Sequence, residues 1–319
     1  MEGLASEYQH LSRPIEELIK NQGCEAKSDE SPRASVAGSG YTNCPTSEPC
    51  IATCDVLIIG SGYGGSIAAD VLAGTSDPNT GKPIRVMVME RGREFAPGEF
   101  PESLGDLPGE VRSQRDNYDR FFGDADALFD IRIHKDVSVL VANGLGGGSL
   151  INANVALRPD DSEFKRSIWP KALQASSVLD PHFNEVEKLL GVVDPARDRP
   201  GDYADWMPTK YQAFQRLALS MKASPKPAPI TADPKECTKC GNCITGCNVH
   251  GAKKTLPQTV LGCAKKKGAE IFTGANVLTV SSPLIPPPPI PKARRSPMPL
   301  SLRVSHSTRS TNAVTSMMT

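Results

Sequence analysis

The clearest hydrophobic pattern in the chain runs from Cys54 to Leu72, where an apolar run meets a glycine cluster and then apolar residues at helical spacing. The apolar residues of 56–59 are typical of a parallel strand that helices cover on both faces. We therefore predict a central strand over 56–60, a tight turn and a crossover helix over 63–74. One apolar face of this helix would pack on the sheet. This face consists of Ile67, Ala68, Val71 and Leu72.

The turn between this strand and this helix carries Gly60, Gly62 and Gly65 in the G-x-G-x-x-G spacing of dinucleotide-binding sites. Gly60 would make the sharp turn, Gly62 would let the backbone approach a pyrophosphate, and Gly65 would let the helix lie close to the strand. The phosphates would bind to free N–H groups at the helix N-terminus, where the helix dipole favours an anion.

A second strand is predicted over 85–89, and Glu90 follows it. In dinucleotide-binding folds an acidic residue about 20 residues after the glycines binds a ribose hydroxyl. Glu90 lies farther along the chain, and the turn-forming residues of 77–83 account for the difference as a loop. The alternative for Glu90 is a solvated residue at a strand end.

A second glycine-rich element covers 143–154, after a predicted hairpin or pair of strands over 131–141. Its glycines allow backbone geometry that other residues cannot adopt, so main-chain N–H groups could approach a flat ring or a phosphate. A flexible surface loop is the alternative, which the flanking apolar residues disfavour. These residues are Leu150, Ile151, Val155 and Leu157.

Together the two glycine elements resemble those of the glucose-methanol-choline (GMC) oxidoreductases, and most closely the cholesterol oxidase branch. The resemblance rests on CDVLIIGSGYGG from Cys54, on GLGGGSLINAN from Gly144 and on Arg158-Pro159, and it extends to about Val280. It implies an α/β fold, with a Rossmann-like FAD-binding domain and a partial, mainly helical substrate or cap region.

The resemblance also implies FAD as the cofactor and oxidation of a CH–OH group by hydride transfer to the flavin, on a small-molecule alcohol or sterol. NAD is the alternative cofactor because the first motif alone serves both, although a nicotinamide enzyme does not need the second loop. The ADP part would be held by Gly60, Gly62, Gly65 and Glu90. Along the pyrophosphate and the flavin would lie Gly147, Gly148, Ser149, Asn152 and Ala153.

Four cysteines have the C-x2-C-x2-C-x3-C spacing of iron–sulfur proteins, namely Cys237, Cys240, Cys243 and Cys247. An iron–sulfur cluster there would make the chain an electron-transfer flavoprotein, and a zinc ion is a second possibility. The alternative is a structural cysteine-rich loop, which the resemblance implies would line the cavity beside the flavin. Two departures favour this alternative, because Asn248 replaces the usual proline and no second cysteine run is present.

Composition divides the chain into four parts. Residues 1–52 are polar and rich in Ser, Pro and Gly, which predicts a disordered leader before an FAD-binding domain over 53–160. Residues 161–280 are predicted to form the partial substrate or cap region, with helical patterns, the cysteine-rich loop and a return strand over 269–280. Residues 281–319 have many prolines and no acidic residue, which predicts a disordered proline-rich, basic tail.

The change of composition at Ser281 has two explanations. An altered reading frame or an unspliced exon boundary would produce it, whereas a natural proline-rich tail could bind SH3-like partners. The resemblance implies a further C-terminal portion that carries an active-site histidine. Without it we expect the chain to turn over alcohols poorly, or to act as a non-catalytic flavin-binding fragment, and His250 is a weak candidate for the base.

Charge and composition exclude several classes of partner. Acidic and basic residues balance at 36 each, so no overall field favours nucleic acid or an anionic membrane. The N-terminus lacks the pattern of a secretory signal, and the longest uncharged stretch, 137–157, is interrupted by glycines and asparagines. We therefore predict no transmembrane segment and a cytoplasmic or other reducing compartment, while the oligomeric state is left open.

Overall fold

The computed structural model describes residues 8–21, 53–115, 121–174, 176–195, 197–198, 207, 209–281 and 301–306 of the chain. It divides into two compact units, which are described separately. The helical unit comprises Met1–Tyr8, Ala96–Glu102 and Gly148–Gly262, and the sheet unit comprises Gln9–Phe95, Ser103–Gly147 and Cys263–Thr319. The predicted domain boundaries at 160 and 280 therefore differ from these, because the division falls inside the second glycine element and the return strand belongs to the sheet unit.

The described residues form the following strands and α-helices in chain order. The strands are β1 (Arg13–Pro14), β2 (Val56–Ile59), β3 (Val86–Met89), β4 (Val111–Arg115), β5 (Phe129–Ile133), β6 (Ser138–Ala142), β7 (Glu270–Thr273), β8 (Ala275–Ser281) and β9 (Ser301–His306). The α-helices are α1 (Ile15–Asn21), α2 (Tyr63–Leu72), α3 (Asp161–Phe164), α4 (Asp180–Leu189), α5 (Thr209–Ser220) and α6 (Val260–Lys266).

The main sheet of the sheet unit has four parallel strands in the order β1-β7-β3-β2. Every residue of β3 is buried, whereas β2 lies at the end of the described sheet and Ile59 is 51% exposed. The prediction that 56–60 forms the central strand is therefore wrong for the described sheet. An apolar run indicates that a strand can be buried. It does not show which strands lie on either side, because these come from distant parts of the chain.

The core beside this sheet contains a residue from the predicted disordered leader. Ile15 is 2% exposed and packs with Met87, Met89 and Phe272. The carboxylate of Glu94 accepts hydrogen bonds from the backbone N–H groups of Leu11 (2.9 Å) and Ser12 (2.8 Å). The prediction of disorder is therefore wrong for residues 8–21, because one buried side chain and one buried carboxylate hold the segment, and residues 22–52 lie outside the described part.

Helix α2 follows the first glycine turn as predicted, but it buries a different face. The buried residues of the helix are Ser66, Ala69 and Asp70, whereas Val71 is 62% exposed. Small side chains let the helix lie close to the strand, and Asp70 accepts a hydrogen bond from Lys267 Nζ at 2.7 Å. Close packing therefore selects the small face rather than the more apolar one.

Two further sheets complete the sheet unit. One has the order β4-β5-β6, and the antiparallel pairing of β5 with β6 confirms the hairpin predicted over 131–141. In the other, β8 pairs with β9 in antiparallel fashion. Ser301–His306 lies within the predicted disordered tail, so that prediction does not hold for these six residues. Residues 282–300 and 307–319 lie outside the described part of the chain.

The helical unit contains α3, α4 and α5, and two turns of 3-10 helix, Lys171–Leu173 and Ser176–Val178, lie between α3 and α4. The Phe164 ring packs against Phe183 (6.2 Å between ring centroids) and Trp169 (5.4 Å), and Arg158 Nε donates to Glu187 Oε1 at 2.6 Å. The helical patterns predicted for the region after residue 161 are thus present, among them as α4. No helix in the described part of the chain has both the length and the apolar character needed to cross a membrane.

Candidate functional site

The first glycine turn has the geometry that its spacing predicts. Gly60 has a φ of +88°, which L side chains rarely adopt, and its N–H donates to Met89 O at 2.8 Å. A Cβ on Gly65 would overlap the carbonyl oxygen of Gly60, so only glycine allows α2 to approach β2 this closely. A Cβ on Gly62 would meet no atom within 4 Å. Open space thus lies in front of Gly62 at the start of α2, and it fits the phosphate position predicted there.

The two glycine elements meet inside the sheet unit. Gly147 has a φ of +50°, and a Cβ placed on it would lie 3.0 Å from Gly62 Cα. The backbone N–H of the neighbouring Gly146 donates to Ser61 Oγ at 2.9 Å. The structure therefore brings together the first residue of the second predicted contact set, Gly147, and the middle glycine of the first.

The Glu90 side chain is buried and forms hydrogen bonds at this junction. Its Oε2 accepts hydrogen bonds from Ser61 N (2.9 Å) and Ser61 Oγ (2.6 Å). Its Oε1 accepts from Gly92 N at 2.9 Å. The solvated-strand-end alternative is therefore wrong, and ribose binding by Glu90 stays a prediction. A carboxylate has about four acceptor positions, so it retains capacity for a ribose hydroxyl.

Sequence reasoning did not single out Ser61, which links the two glycine elements. Its Oγ accepts from Gly146 and donates to Glu90, and the residue is fully buried. The available signal was a small hydroxyl residue between two glycines of the motif, followed by a carboxylate at the end of the next strand. Neither feature alone distinguishes a linking residue from an ordinary turn residue.

The rest of the second glycine loop (Asn143–Asn154) belongs to the helical unit. Gly148 O accepts from Asn152 N at 3.0 Å, and the buried Ser149 Oγ accepts from Leu256 N at 3.1 Å. Leu150 is buried, as its pattern predicts. Val155 and Leu157 are 52% and 66% exposed, so the prediction of a buried flank is wrong for these two residues. The backbone leaves the unit's core after Asn154, which the apolar pattern does not show.

The cysteine loop (Cys237–Cys247) forms one wall of a cavity of about 700 Å³ in the helical unit. All four cysteines contribute to this wall, together with Ala153, Asn154, Ile230 and Lys253 among others. Among the described residues, no group of three or more His, Cys, Asp or Glu side chains is placed to hold a metal ion. The predicted iron–sulfur or zinc site on Cys237, Cys240, Cys243 and Cys247 is therefore not supported.

Packing and hydrogen bonds hold the cysteine loop. A Cβ on Gly246 would overlap the ring of Phe100. Next to the loop, Asn248 Oδ1 accepts from Gly98 N (2.8 Å) and Phe100 N (3.0 Å), and its Nδ2 donates to Phe100 O and Glu102 Oε1, both at 2.9 Å. The residue that departs from the iron–sulfur pattern thus has a structural role of its own.

Lys253 is a second residue that sequence reasoning missed. Its side chain is 2% exposed, and its Nζ donates to three backbone carbonyl oxygens. Burial lowers the pKa of Lys253 to about 8, and the thiols of Cys243 and Cys247 act in the opposite direction. Burial also raises the pKa of the Cys243 thiol. In the sequence Lys253 is one of two adjacent lysines, and nothing local marks it as the buried one.

His250 lies apart from the cavity wall. It is exposed, and its ring contacts that of Tyr8 edge-on, with 6.4 Å between the ring centroids. The residues that line the cavity include its neighbours Val249 and Ala252 but not His250. Its role as a base therefore stays a prediction that this geometry does not strengthen.

Comparison with known proteins gives a family match over most of the chain. A family model described as GMC oxidoreductase matches residues 54–283. A cholesterol oxidase of Mycobacterium tuberculosis is 34% identical over 238 residues, which are 68% of this chain and 38% of that protein. A cholesterol oxidase of Acinetobacter baumannii is 30% identical over 248 residues, or 71% of this chain and 41% of that protein.

A more distant relative is a long-chain-alcohol oxidase of Arabidopsis thaliana, 26% identical over 227 residues, which are 69% of this chain and 26% of that protein. The matched part thus spans 38% of the Mycobacterium cholesterol oxidase.

Proposed function

The chain belongs to the GMC oxidoreductase family, and from this premise we propose that it is an FAD-dependent oxidoreductase acting on CH–OH groups. The observation that carries the proposal is the junction of the two glycine elements. Gly147 lies against Gly62, and open space remains in front of Gly62 at the N-terminus of α2. A nicotinamide-binding site needs only the first of these elements, so their meeting favours FAD over NAD.

The residues of this junction would hold the ADP part of FAD. Gly62 would let the pyrophosphate approach the backbone at the N-terminus of α2, where the helix dipole and the N–H groups of the first turn favour an anion. Gly60 and Gly65 maintain the turn and the close helix, and Glu90 would accept a hydrogen bond from a ribose hydroxyl. Bound FAD would supply the acceptor for a hydride.

The second glycine loop would contact the remainder of the cofactor. By its family resemblance, Gly147, Gly148, Ser149, Asn152 and Ala153 would lie along the pyrophosphate and the flavin. Two hydrogen bonds support a fixed shape for this loop, from Asn152 N to Gly148 O and from Leu256 N to Ser149 Oγ. A loop held in this way orients a ring without rearranging when the ring binds.

For the substrate we propose an apolar alcohol, with a sterol as the first choice. The matched relatives are cholesterol oxidases and a long-chain-alcohol oxidase, whose names imply a hydroxyl group on a large apolar body. The cavity of about 700 Å³ in the helical unit lies in the size range of pockets for such ligands, ~300 to 1,000 Å³.

We propose slow turnover for this chain by itself. Removal of a hydride from an alcohol needs a base for the hydroxyl proton, and a positioned base contributes about 10²- to 10⁴-fold. None of the residues that line the described cavity is a histidine. His250 is the candidate among the described histidines, and its exposure explains why we expect only a weak contribution.

Titration of the purified protein with FAD tests the cofactor proposal. Binding should quench flavin fluorescence, and an equal titration with NAD should show no saturable binding. A protein that took up NAD and no flavin would refute the proposal. A steady-state assay of the FAD-loaded protein with sterols and simple alcohols then tests the substrate class. Turnover at about 1 to 10³ per second that was lost in His250→Ala would contradict the expectation of slow catalysis.

A further inference from the structure

Among the described residues of the helical unit, the most deeply buried charged group joins two separate loops. Lys253 Nζ donates to Leu150 O at 2.7 Å and to Asn152 O at 2.8 Å, both in the second glycine loop. The same nitrogen donates to Cys243 O at 2.6 Å in the cysteine loop. An ammonium group has three donors, so these carbonyl groups use all of them.

Three simpler roles do not fit the protonated form of Lys253. An ammonium whose three protons are engaged with carbonyl oxygens has no free donor for a substrate, and it offers no lone pair with which to act as a base or a nucleophile. With 2% of its surface exposed, it also cannot serve solubility. Burying a charge is unfavourable, and hydrogen bonds to the buried group offset part of the cost. The direct effect of the Lys253 ammonium group is to fix the direction of three carbonyl groups.

We propose that Lys253 is a positioning residue that fixes the backbone of Leu150–Asn152 and couples its conformation to that of the cysteine loop. The consequence for the cofactor rests on the proposed function, in which Asn152 and Ala153 lie along the flavin. Without the ammonium, Leu150 O and Asn152 O lose a shared donor, and the glycine-rich backbone before them has few side chains to hold it. The loop then samples other conformations, so part of the binding free energy of FAD is used to order the loop.

Lys253→Met removes all three donors and keeps a side chain of similar length. Lys254→Met is the matched control, because Lys254 is adjacent and half-buried and its Nζ contacts Gly251 O (2.9 Å) and Asp233 (3.4 Å) instead. The first measurement is hydrogen–deuterium exchange of both variants without FAD. Lys253→Met should exchange faster in 148–154 and in 237–247, with no change in β3, and the control should match the wild-type protein in all three segments.

The second measurement uses FAD itself. The dissociation constant of FAD should rise by about tenfold or more in Lys253→Met, because this variant loses the three hydrogen bonds of Lys253 Nζ. It should stay unchanged in the control. Coupling between two loops is reciprocal, so FAD should slow exchange in 237–247 of the wild-type protein. In Lys253→Met at saturating FAD, this slowing should disappear, whereas direct shielding by FAD would preserve it.

The outcomes separate this inference from the proposed function. Unchanged exchange in 148–154 and 237–247 of Lys253→Met would overturn the inference, whether or not FAD binds. A wild-type protein that binds no FAD would refute the proposed function, and the exchange of the ligand-free proteins would still decide the inference. If Lys253→Met does not fold, Lys253→Gln retains two donors on a shorter side chain, and the same comparison applies to it.

Discussion

Gly147 lies so close to Gly62 that a Cβ on Gly147 would stand 3.0 Å from Gly62 Cα. Gly147→Ala should therefore separate the two glycine elements. The alanine would also occupy the left-handed region at φ +50°, which costs about 1 to 2 kcal/mol by itself. We expect the free energy of unfolding to fall by about 2 to 4 kcal/mol when overpacking is included. The affinity for FAD should fall in the same variant, and urea unfolding and FAD titration measure the two effects.

Gly81→Ala separates the backbone effect from the contact. Gly81 also has a left-handed φ, +69°, but a Cβ on it would meet no atom within 4 Å. This variant should lose only the backbone contribution and should bind FAD like the wild-type protein. Equal losses of stability in Gly81→Ala and Gly147→Ala would show that the contact with Gly62 has no energetic weight.

Alanine at Gly62 should weaken FAD binding with little effect on stability, whereas alanine at Gly65 should lower stability. Gly62 has a φ of −66° and open space at its Cβ position, so Gly62→Ala should fold with the free energy of unfolding within about 0.5 kcal/mol of wild type. It should nevertheless bind FAD more weakly, because the methyl group enters the predicted phosphate position. Gly65→Ala would overlap Gly60 O and should cost about 1 to 3 kcal/mol even without FAD. Thermal unfolding of both ligand-free variants gives the comparison, and a destabilised Gly62→Ala would argue against an open cofactor site.

Ser61→Ala tests the link between the two glycine elements. The change leaves Gly146 N without its Ser61 Oγ acceptor and removes one donor to Glu90. Each buried hydrogen bond contributes about 0.5 to 1.5 kcal/mol, and more when one partner is charged, so the loss of these two should lower the free energy of unfolding by about 1 to 3 kcal/mol, which urea unfolding measures. Ser220→Ala is the control, since its Oγ bonds Leu217 O at an exposed position. No difference between the two variants would mean that water replaces Ser61 Oγ without cost.

The lowered pKa of Lys253 predicts that the free energy of unfolding rises with pH. Burial lowers its pKa to about 8, against 10.5 for an ordinary lysine. Between these values the unfolded chain binds more protons than the folded protein, so the free energy of unfolding increases with pH, by at most about 3 kcal/mol. Lys253→Met should lack this increase when urea unfolding is measured at about pH 7 and about pH 10.

Cys243 contributes to the stability in the same pH range and with the opposite sign. The raised pKa of Cys243 lowers stability above its ordinary value of 9.0, because the thiol then ionises first in the unfolded chain. Cys247 also faces Lys253. Lys253 also acts to lower the pKa of Cys243, so the difference between the wild-type protein and Lys253→Met reports the lysine together with its effect on this thiol. A difference that stayed constant between the two pH values would contradict the predicted titration.

The sequence predicted those features that depend on neighbouring residues. The strand, glycine turn and helix around Gly60 are present, as is the hairpin of β5 and β6. The return strand predicted over 269–280 is present but divided into β7 and β8, which belong to different sheets. Each produces a local signal, namely an apolar run, an alternation or a glycine spacing. The close approach at Gly65 follows from the same spacing.

The sequence could not predict features that distant residues determine. β2 was expected at the centre of the sheet, but strand order depends on where residues 270–273 insert. The buried face of α2 was expected to be the most apolar one, yet the approach at Gly65 selects Ala69 and Ser66. The burial of Lys253 likewise arises from three carbonyl groups in two other loops.

The strand order also determines when the sheet can form during synthesis. β1 begins at Arg13, but its partner β7 begins only at Glu270 and lies between β1 and β3. A ribosome that adds about 5 to 20 residues per second needs at least about ten seconds to make the intervening chain. During that time β2 and β3 can pair, whereas β1 and the free edge of β3 have no strand partner. A nascent chain stalled before residue 270 should therefore expose this edge to chaperones, and release of the next few residues should close it.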